Sequence, residues 1–321
     1  MYKNTHKNYN VIIVDNGSED DSIQKIKKYC EGKITVKSKF MEYNSNNKPI
    51  KIIEYTKEEI EVGSNDENEK YKLSFNRSLI ILKNEKNYGF AEGNNIAMKY
   101  ALKAMTPDYI LLLNNDTVVD TKFLDQLLKV AETDPRVGIV GPKIYYYDEP
   151  NKIHYGGGKI NWWTGRPSHC LNDTFDDGTS DYQIESVEFI TGCCMLLNTQ
   201  IGNDILFDKT YFSYFEDADL CVRLYKKDYN LIYTPSSKVW HKISSTSGLH
   251  SEFYNYYFAR NRIIFMKKNA NFMHNLFFYP YHIVFKSIAS SIYFIIKYRN
   301  YRLSIAFLKG IKDGLFNYKI M

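Results

Sequence analysis

The chain has 321 residues, 44% of them hydrophobic, enough for one large domain with an appendage. Its five cysteines lack Cys-x-x-Cys spacing, which argues against a zinc site or a disulfide framework and favours a reducing compartment. The net charge of +5 is unevenly distributed. From Phe253 to Met321 there are eleven Lys or Arg and one acid, so this segment carries +10 and the remainder −5.

The first predicted strand, Asn10 to Val14, is short and of the buried type, and it runs into Asp15. A turn at Gly17 then leads into a helix predicted from Ser22 to Tyr29. Ligands of open α/β sheets bind beyond the carboxyl ends of the strands, so Asp15 is a candidate to accept a hydrogen bond from a nucleobase. A helix-capping turn without any ligand explains the same residues equally well.

Residues 37–78 are predicted to be an insertion, formed by a hairpin with a strand near Ile50–Tyr55 and by a mobile loop. No chemistry is expected there. Leu79 to Leu82 predicts the next strand, and a helix is predicted from Ile96 to Ala104. Glycines and amides before a helix N-terminus suit phosphate or ribose, although such a pattern is weak by itself. The residues concerned are Asn87, Gly89, Gly93 and Asn94.

The apolar run from Tyr109 to Leu113 predicts a fully buried strand, which ends in Asn114, Asn115 and Asp116. Mg²⁺ or Mn²⁺ prefers such oxygen ligands and usually keeps phosphates as its other ligands. An Asn/Asp turn without a ligand is the alternative. Further strands and helices alternate along the chain, including a helix at 121–132, which predicts an α/β fold with a largely parallel sheet.

The segment from Phe189 to Leu197 predicts an apolar strand broken at Gly192, where the backbone can approach a ligand closely. Before it, Trp162 and Trp163 suit stacking on a sugar or lipid acceptor and a small satellite core equally well.

Glu216, Asp217 and Asp219 open a predicted helix, whose dipole favours acids there. A carboxylate held after so apolar a segment could accept a proton from an attacking hydroxyl. His241 follows a later strand and would lie near the same crevice, where neutral imidazole is a suitable Mn²⁺ ligand. A lone histidine is more often structural than a ligand.

Six segments in this order resemble glycosyltransferase family 2, especially its rhamnosyltransferase-like members with the GT-A fold: VDNGSEDDS, NYGFAEGNN, LLLNNDT, FITGCCMLL, YFEDADLCVRL and VWHK. The resemblance covers Tyr9 to about Lys268. It implies an inverting transferase that moves a sugar, rhamnose-like or another hexose, from a nucleoside diphosphate to a hydroxyl of a glycan or lipid-linked acceptor. It also implies a Rossmann-like, mostly parallel sheet with flanking helices.

The resemblance further implies roles for single residues. Asp217 matches the catalytic base, and Asp116 and His241 match ligands of Mg²⁺ or Mn²⁺, with Asn114 at the first position of the usual acidic triplet. Arg260 lies, with Arg262, in a stretch that often follows the histidine. The implied nucleotide-sugar site comprises Asp15, Asn87, Gly89, Gly93, Asn94, Asn115, Asp116, Gly192 and Arg260.

Family members have an apolar strand and a helix before the segment that matches Tyr9 to Ile12, and residues 1–8 leave no room for them. A missing central strand would expose two strand edges. We therefore expect either a true start further upstream or a decayed copy. The alternative function is a truncated, non-catalytic relative, a binding or partner subunit in glycan assembly.

The predicted organisation is a transferase domain at 1–252 and a helical, basic and aromatic tail at 253–321. Leu276 to Ile296 has about the ~20 residues that span a bilayer, but it contains Pro280 and Lys286, and a mid-span Lys costs roughly 2.5–3.5 kcal/mol. We expect tail helices that lie in the interface at the cytoplasmic face of the membrane. A nucleic-acid partner is not expected, because no RNA-binding signature is present.

Overall fold

The computed structural model describes residues 4–40, 43–62, 78–178, 183–243 and 251–317. Its strands are β1 Val11–Asp15, β2 Lys51–Thr56, β3 Ser78–Lys83, β4 Tyr109–Leu113, β5 Thr117–Val119, β6 Val137–Tyr146, β7 Ile153–Tyr155, β8 Gly158–Asn161, β9 Arg166–His169, β10 Glu185–Ser186, β11 Cys194–Asn198 and β12 Asn230–His241. Its helices are α1 Ser22–Cys30, α2 Lys57–Val62, α3 Gly89–Ala104, α4 Phe123–Ala131, α5 Glu216–Tyr225, α6 Glu252–Asn269, α7 Phe272–Pro280, α8 Ser287–Tyr298 and α9 Tyr301–Phe316.

The strands form an α/β fold with two main sheets. The smaller sheet has the order β1-β3-β2 and is entirely parallel. The larger sheet has the order β10-β12-β6-β11-β4, with β5 beside β12 and β7 beside β6. Within it β6 and β12 are parallel, whereas β11 runs antiparallel to both β4 and β6. β8 and β9 form a separate hairpin.

The predicted insertion contributes a strand to the smaller sheet. β2 pairs in parallel with β3, from Lys51 beside Ser78 to Thr56 beside Lys83. Parallel neighbours cannot be joined by a tight turn, so the predicted hairpin is wrong. The loop predicted around Gly63 falls in residues 63–77, which lie outside the described residues.

β1 and β4 are edge strands. Each is the last strand in its sheet, so the described residues provide no β partner on its other side. Every residue of β1 is half-buried, and in β4 only Leu112 is fully buried. The predicted full burial of Tyr109–Leu113 is therefore wrong, although the two exposed edges were expected. The apolar composition of both strands exceeds what their present burial requires.

Helix α3 begins earlier than predicted, and strand β11 begins later. α3 starts at Gly89, so Gly93 and Asn94 lie inside the helix rather than in a loop before it. Strand β11 starts only at Cys194, because Gly192 and Cys193 form a turn. This turn leaves the Gly192 amide free to bond a side chain from α5, as described below.

The first C-terminal helix belongs to the core. Ile263, Ile264, Phe265 and Met266 of α6 are fully buried in the main hydrophobic cluster. α9 packs closely on α6 through two glycines: a Cβ at Gly310 would lie 2.3 Å from the Tyr256 carbonyl oxygen, and one at Gly314 2.7 Å from that of Arg260. α7 and α8 form one helical stretch, joined after Pro280 by a π-helical segment, Tyr281–Lys286.

Candidate active site

Asp116 and His241 meet because of a strand pairing. β5, directly after Asp116, runs antiparallel to the end of β12, with Thr117 opposite His241. The His241 Nε2 atom lies 3.0 Å from Asp116 Oδ1, and the Lys242 amide donates to the Asp116 carbonyl at 2.8 Å. The predicted proximity of these two side chains is thus found, across 125 residues of sequence.

Asp217 is held by backbone amides on both sides. Its Oδ2 accepts from the Gly192 N–H at 2.8 Å, and its Oδ1 accepts from the Ala218 N–H at 2.8 Å. A Cβ at Gly192 would lie 3.4 Å from Asp217 Cβ and 3.4 Å from the Phe90 ring, so the position is closely surrounded without strictly requiring glycine. The carboxylate is half-buried, and this partial removal from water raises its pKa.

Cys193 links the two acidic positions. The Asn114 amide, at the end of β4, donates to the Cys193 carbonyl at 2.9 Å, while Gly192 holds Asp217. The Cys193 thiol is buried, which raises its pKa well above the ordinary value, and the charges of Asp116 and Asp217 both add to this rise. Both carboxylates therefore lie within electrostatic range of one thiol.

The neighbouring acids of α5 have other surroundings. Asp219 is fully buried and occupied: it accepts from Tyr211 Oη at 2.9 Å and pairs with Arg223 at 2.8 Å. Glu216 is buried, and desolvation together with the Asp217 charge raises its pKa well above the usual range. Only Asp217 combines fixed oxygens with partial access to solvent.

A second polar group surrounds Asn16, a residue that the sequence reasoning passed over. Its amide donates to the Asn87 side chain and to the Gly89 carbonyl, each at 3.0 Å, and its oxygen accepts from the Tyr88 amide at 3.1 Å. Gly93 faces it, since a Cβ there would lie 3.1 Å from Asn16 Nδ2. The Asn87 oxygen also accepts from the Gly89 amide at 2.8 Å, so this group fixes the start of α3.

The remaining predicted site residues have local partners. Asp15 accepts from the Ser18 amide at 3.0 Å, and Asn94 donates to the Phe90 carbonyl at 2.8 Å. Asn115 is exposed beside Asp116. Arg260 donates to the Thr210 carbonyl at 2.9 Å and to Asn261 Oδ1 at 2.8 Å, so its guanidinium contacts the loop before α5.

Asn261, fully buried on α6, organises that loop. Its Nδ2 lies 2.7, 2.8 and 2.9 Å from the carbonyl oxygens of Tyr211, Ser213 and Tyr214. The loop needs such support because Phe212, Tyr214 and Phe215 all adopt positive φ, which is unfavourable for bulky residues. The loop leads directly to Asp217, so Asn261 supports the position of Asp217 from α6. No local sequence signal distinguishes this asparagine.

Two further histidines adjoin the pair. The His154 ring lies 5.6 Å from that of His241 and 5.0 Å from that of His169. Burial lowers the pKa of His154 to about 3, so it is neutral at physiological pH. The His169 Nδ1 lies 3.0 Å from the His154 carbonyl. The His154 ring thus contacts both other histidines, and His154 and His169 are both half-buried.

Across the described residues, no three His, Cys, Asp or Glu side chains converge closely enough to enclose a metal ion. Asp116 and His241 supply one oxygen and one nitrogen that already face each other. Two protein ligands fit a divalent cation that takes its other ligands from donor phosphates and water. The donor set is therefore compatible with Mn²⁺ or Mg²⁺ bound together with a nucleotide.

The solved structures most useful for comparison share the fold. The crystal structure of GalNAc-T7 with UDP, GalNAc and Mn²⁺ matches with a TM-score of 0.54 and 15% identity, over 95% of this chain and 55% of that chain. The mannosyltransferase PcManGT of Pyrobaculum calidifontis, in complex with GDP-Man and Mn²⁺, matches with a TM-score of 0.50 and 10% identity, over 99% and 81%. The expected GT-A-like α/β fold is confirmed.

Curated relatives include an N-acetylglucosaminyl-diphospho-decaprenol L-rhamnosyltransferase of Mycobacterium tuberculosis, 28% identical over 44% of this chain and 49% of that protein. The rhamnosyltransferase WbbL of Escherichia coli K12 is 29% identical over 48% and 61%. The chain thus spans about half, or somewhat more, of these relatives. The model of the family described as "Glycosyl transferase family group 2" matches residues 109–310, more than half of the chain and including Asp116, Asp217 and His241. The chain belongs to this glycosyltransferase family.

Proposed function

We propose that this protein transfers a hexose, rhamnose-like or another, from a nucleoside diphosphate to a hydroxyl of a glycan or lipid-linked acceptor, with inversion. The observation that carries the proposal is the arrangement around Cys193. Asp217 has both oxygens fixed by backbone amides, and Asp116, whose charge also acts on the Cys193 thiol, faces His241 at 3.0 Å. Asp217 can thus accept a proton, and Asp116 together with His241 can bind a cation.

Asp217 acts as the general base. The partial burial that raises its pKa makes the carboxylate a better proton acceptor than an exposed aspartate, while the Gly192 and Ala218 amides fix its direction. A single base that takes the proton of the acceptor hydroxyl is sufficient for a direct displacement with inversion. Such a reaction needs no covalent sugar–enzyme intermediate.

Asp116 and His241 hold Mn²⁺ or Mg²⁺ in this proposal. When bound, the cation supplies positive charge that stabilises the departing diphosphate. The neutral His154 beside His241 adds no positive charge that would repel the cation. The Mn²⁺ in the two similar structures supports the choice of a divalent cation.

The donor lies along the group around Asn16 and Asn87. Asp15 at the end of β1 receives the nucleobase, as in the family pattern, and the positive end of the α3 dipole at Gly89 favours a phosphate nearby. Gly93, Asn94, Asn115, Gly192 and Arg260 are assigned to the same donor site on the resemblance. Asn16 supports it by fixing Asn87 and Gly89.

The acceptor is lipid-linked, and the protein works at the cytoplasmic face of a membrane through its C-terminal helices. Support comes from the rhamnosyltransferase of M. tuberculosis, whose name specifies N-acetylglucosaminyl-diphospho-decaprenol, and from the +10 charge of residues 253–321. Among the described residues, no helix combines the length and apolar character needed to cross a bilayer.

The experiment is an assay of nucleoside diphosphate release with Mn²⁺ and a panel of UDP-, dTDP- and GDP-sugars. Release is measured with and without membrane extracts that contain lipid-linked glycans. We expect release from one donor class, increased by the extract. No release from any donor, with the protein folded and metal present, would favour the non-catalytic partner subunit instead.

A further inference from the structure

The outward surface of the C-terminal helices is apolar. On α7, the following π-helical segment and α8, an exposed stripe repeats every three or four residues: Met273, Phe277, Tyr281, Val284, Ile288, Ile292 and Ile295. The opposite side of the same helices packs on the core through residues such as Phe278 and Phe294. A surface helix in water normally carries polar residues on its outer side. This stretch is apolar on both sides.

α9 adds a second stripe beside the first. Tyr301, Ile305, Leu308 and Phe316 are exposed, while Leu303 and Phe307 are buried beneath them. α8 and α9 are joined by a short turn at Arg299, and Ser304 Oγ donates to the Ser291 carbonyl at 3.1 Å. The two stripes therefore form one face, here called the helical face.

The β8–β9 hairpin extends this face onto the catalytic part of the chain. Trp163, at its tip, is 54% exposed, and its ring lies 5.4 Å from that of Phe277 and 4.7 Å from that of His274. The adjacent Trp162 stacks on Phe265 of α6 at 5.7 Å. The sequence left two interpretations open for this tryptophan pair, and each applies to one of them. Trp162 packs against the core, whereas Trp163 is part of an exposed apolar surface.

Basic residues surround the helical face. Lys297, Arg299, Arg302, Lys309 and Lys312 are all exposed, and no carboxylate lies within ion-pair distance of them in the described part of the chain. The acid of this region, Asp313, accepts from Tyr256 Oη at 2.8 Å. Apolar side chains with tyrosine and tryptophan at the edge and lysine or arginine around them match the interface of an anionic bilayer.

We propose that the helical face together with Trp163 is a bilayer-docking surface, which lies in the plane of an anionic leaflet. α6 is not part of it, since this helix is buried in the core. The inference deepens the proposed membrane location by naming the surface and its orientation. It rests on the proposed function only for the lipid-linked acceptor, because docking can be measured without any turnover.

This surface is connected to the catalytic base by two packed routes. α9 touches α6 backbone to backbone at Gly310 and Gly314, and Asn261 of α6 holds the loop before Asp217. The hairpin begins at Gly158, where a Cβ would lie 2.5 Å from the Phe189 carbonyl, shortly before Gly192. Docking through both routes therefore fixes the orientation of the Asp217 site relative to the leaflet.

The test uses the full chain and vesicles of phosphatidylcholine, with or without phosphatidylglycerol. We expect sedimentation with the anionic vesicles, at least tenfold weaker binding to the neutral ones, and release at high salt. Tryptophan emission should shift to shorter wavelength and be quenched by brominated lipid. The shift and the quenching should be lost in Trp163→Phe. The emission of wild type minus that of the variant reports Trp163 alone.

The decisive variant is Ile288→Glu with Ile292→Glu, matched by Phe175→Glu, which changes an exposed apolar residue outside this surface. We expect the double variant to bind anionic vesicles at least tenfold more weakly and the control to bind normally, both with unchanged donor hydrolysis. Equal binding of the double variant and wild type, or a wild type that forms a stable dimer and ignores vesicles, would overturn the proposal. Loss of donor turnover with normal docking would refute the transferase proposal only.

Discussion

Proteins usually bury apolar residues and expose polar ones, and the candidate active site and the helical face each break one half of this rule. Around Cys193, carboxylates and amides lie partly or fully inside the protein, where each unpaired polar group costs free energy. On the helical face, isoleucines and phenylalanines lie outside, with Ile288 58% and Phe277 55% exposed. One region keeps polar groups in the interior, and the other exposes apolar groups.

The difference shows what each region needs as a partner. The inner polar groups are mostly satisfied by the protein itself, as Asp217 is by two amides and Asp219 by Tyr211 and Arg223. The outer apolar groups have no partner from the described chain that covers them, and a large exposed apolar patch marks an interaction site. The first region is complete apart from its ligands, whereas the second requires another surface.

The largest effect is expected from Asp116→Ala, which removes one of the two proposed metal ligands from the polar region. We expect the affinity for a nucleoside diphosphate with Mn²⁺ to fall by about 100-fold or more, because one of two protein ligands is lost. Calorimetric titration of UDP, dTDP and GDP with Mn²⁺ measures this, and chelation by EDTA should have the same effect on wild type. Equal affinity of variant and wild type would exclude Asp116 as a ligand.

Asn261→Ala tests whether the polar region depends on α6. The change removes the two N–H groups that three loop carbonyls share, so we expect unfolding to become easier by about 2 kcal/mol. Turnover should fall more than donor affinity, since the loop positions Asp217. Asn255→Ala is the matched control: it is buried on the same helix and removes one bond, to the Ser251 carbonyl at 3.0 Å, worth about 1 kcal/mol.

Urea unfolding of the two variants beside wild type gives these free energies. Equal losses for Asn261→Ala and Asn255→Ala would mean that the three carbonyls find other partners and that the loop does not depend on Asn261.

His282→Phe measures the cost of a polar side chain buried among the C-terminal helices, because His282 lies directly beneath the helical face. Neither ring nitrogen has a hydrogen-bond partner among the described residues, and burial lowers the pKa of His282 to about 3. With a folded pKa below the unfolded value of about 6.5, its neutral form adds stability above pH 6.5 that is lost as the pH falls toward 3. We expect the variant to be more stable by about 1 kcal/mol at pH 7 and less sensitive to acid.

Urea unfolding at pH 7 and at pH 5 measures both effects of His282→Phe. The other buried histidines are the same in both proteins, so the difference between them isolates His282. An identical decrease in stability toward pH 5 would show that His282 accepts a proton without cost in the folded protein.

The sequence predicted the residues of the candidate active site better than the residues that hold them in position. Asp116, Gly192, Asp217 and His241 occur in segments with recognisable patterns, and the structure brings Asp116 to His241 and Gly192 to Asp217. Asn261 could not be predicted, because its role depends on contacts almost 50 residues away, at loop carbonyls that carry no sequence signal. Local patterns identify residues that share a chain segment, whereas positioning residues are defined by tertiary packing.

The fold shows the same limit. Periodicity predicted β3 almost to the residue, but it could not tell that β2 would pair in parallel with β3 or that β1 and β4 would be edge strands. Pairing partners and burial are decided between distant segments. The apolar tail was evident from composition, yet only packing separates the buried α6 from the exposed α8.

The most direct test of the account is the split between donor binding and turnover in Asp217→Asn, with Glu216→Gln as the neighbouring control. We expect Asp217→Asn to bind the donor with Mn²⁺ as wild type does, while kcat falls by about 10²- to 10⁴-fold, because the base acts only when the acceptor attacks. Glu216→Gln should retain turnover, since that side chain is buried away from the acceptor side and burial raises its pKa. Near-normal kcat in Asp217→Asn together with loss in Glu216→Gln would contradict the assignment of the catalytic base.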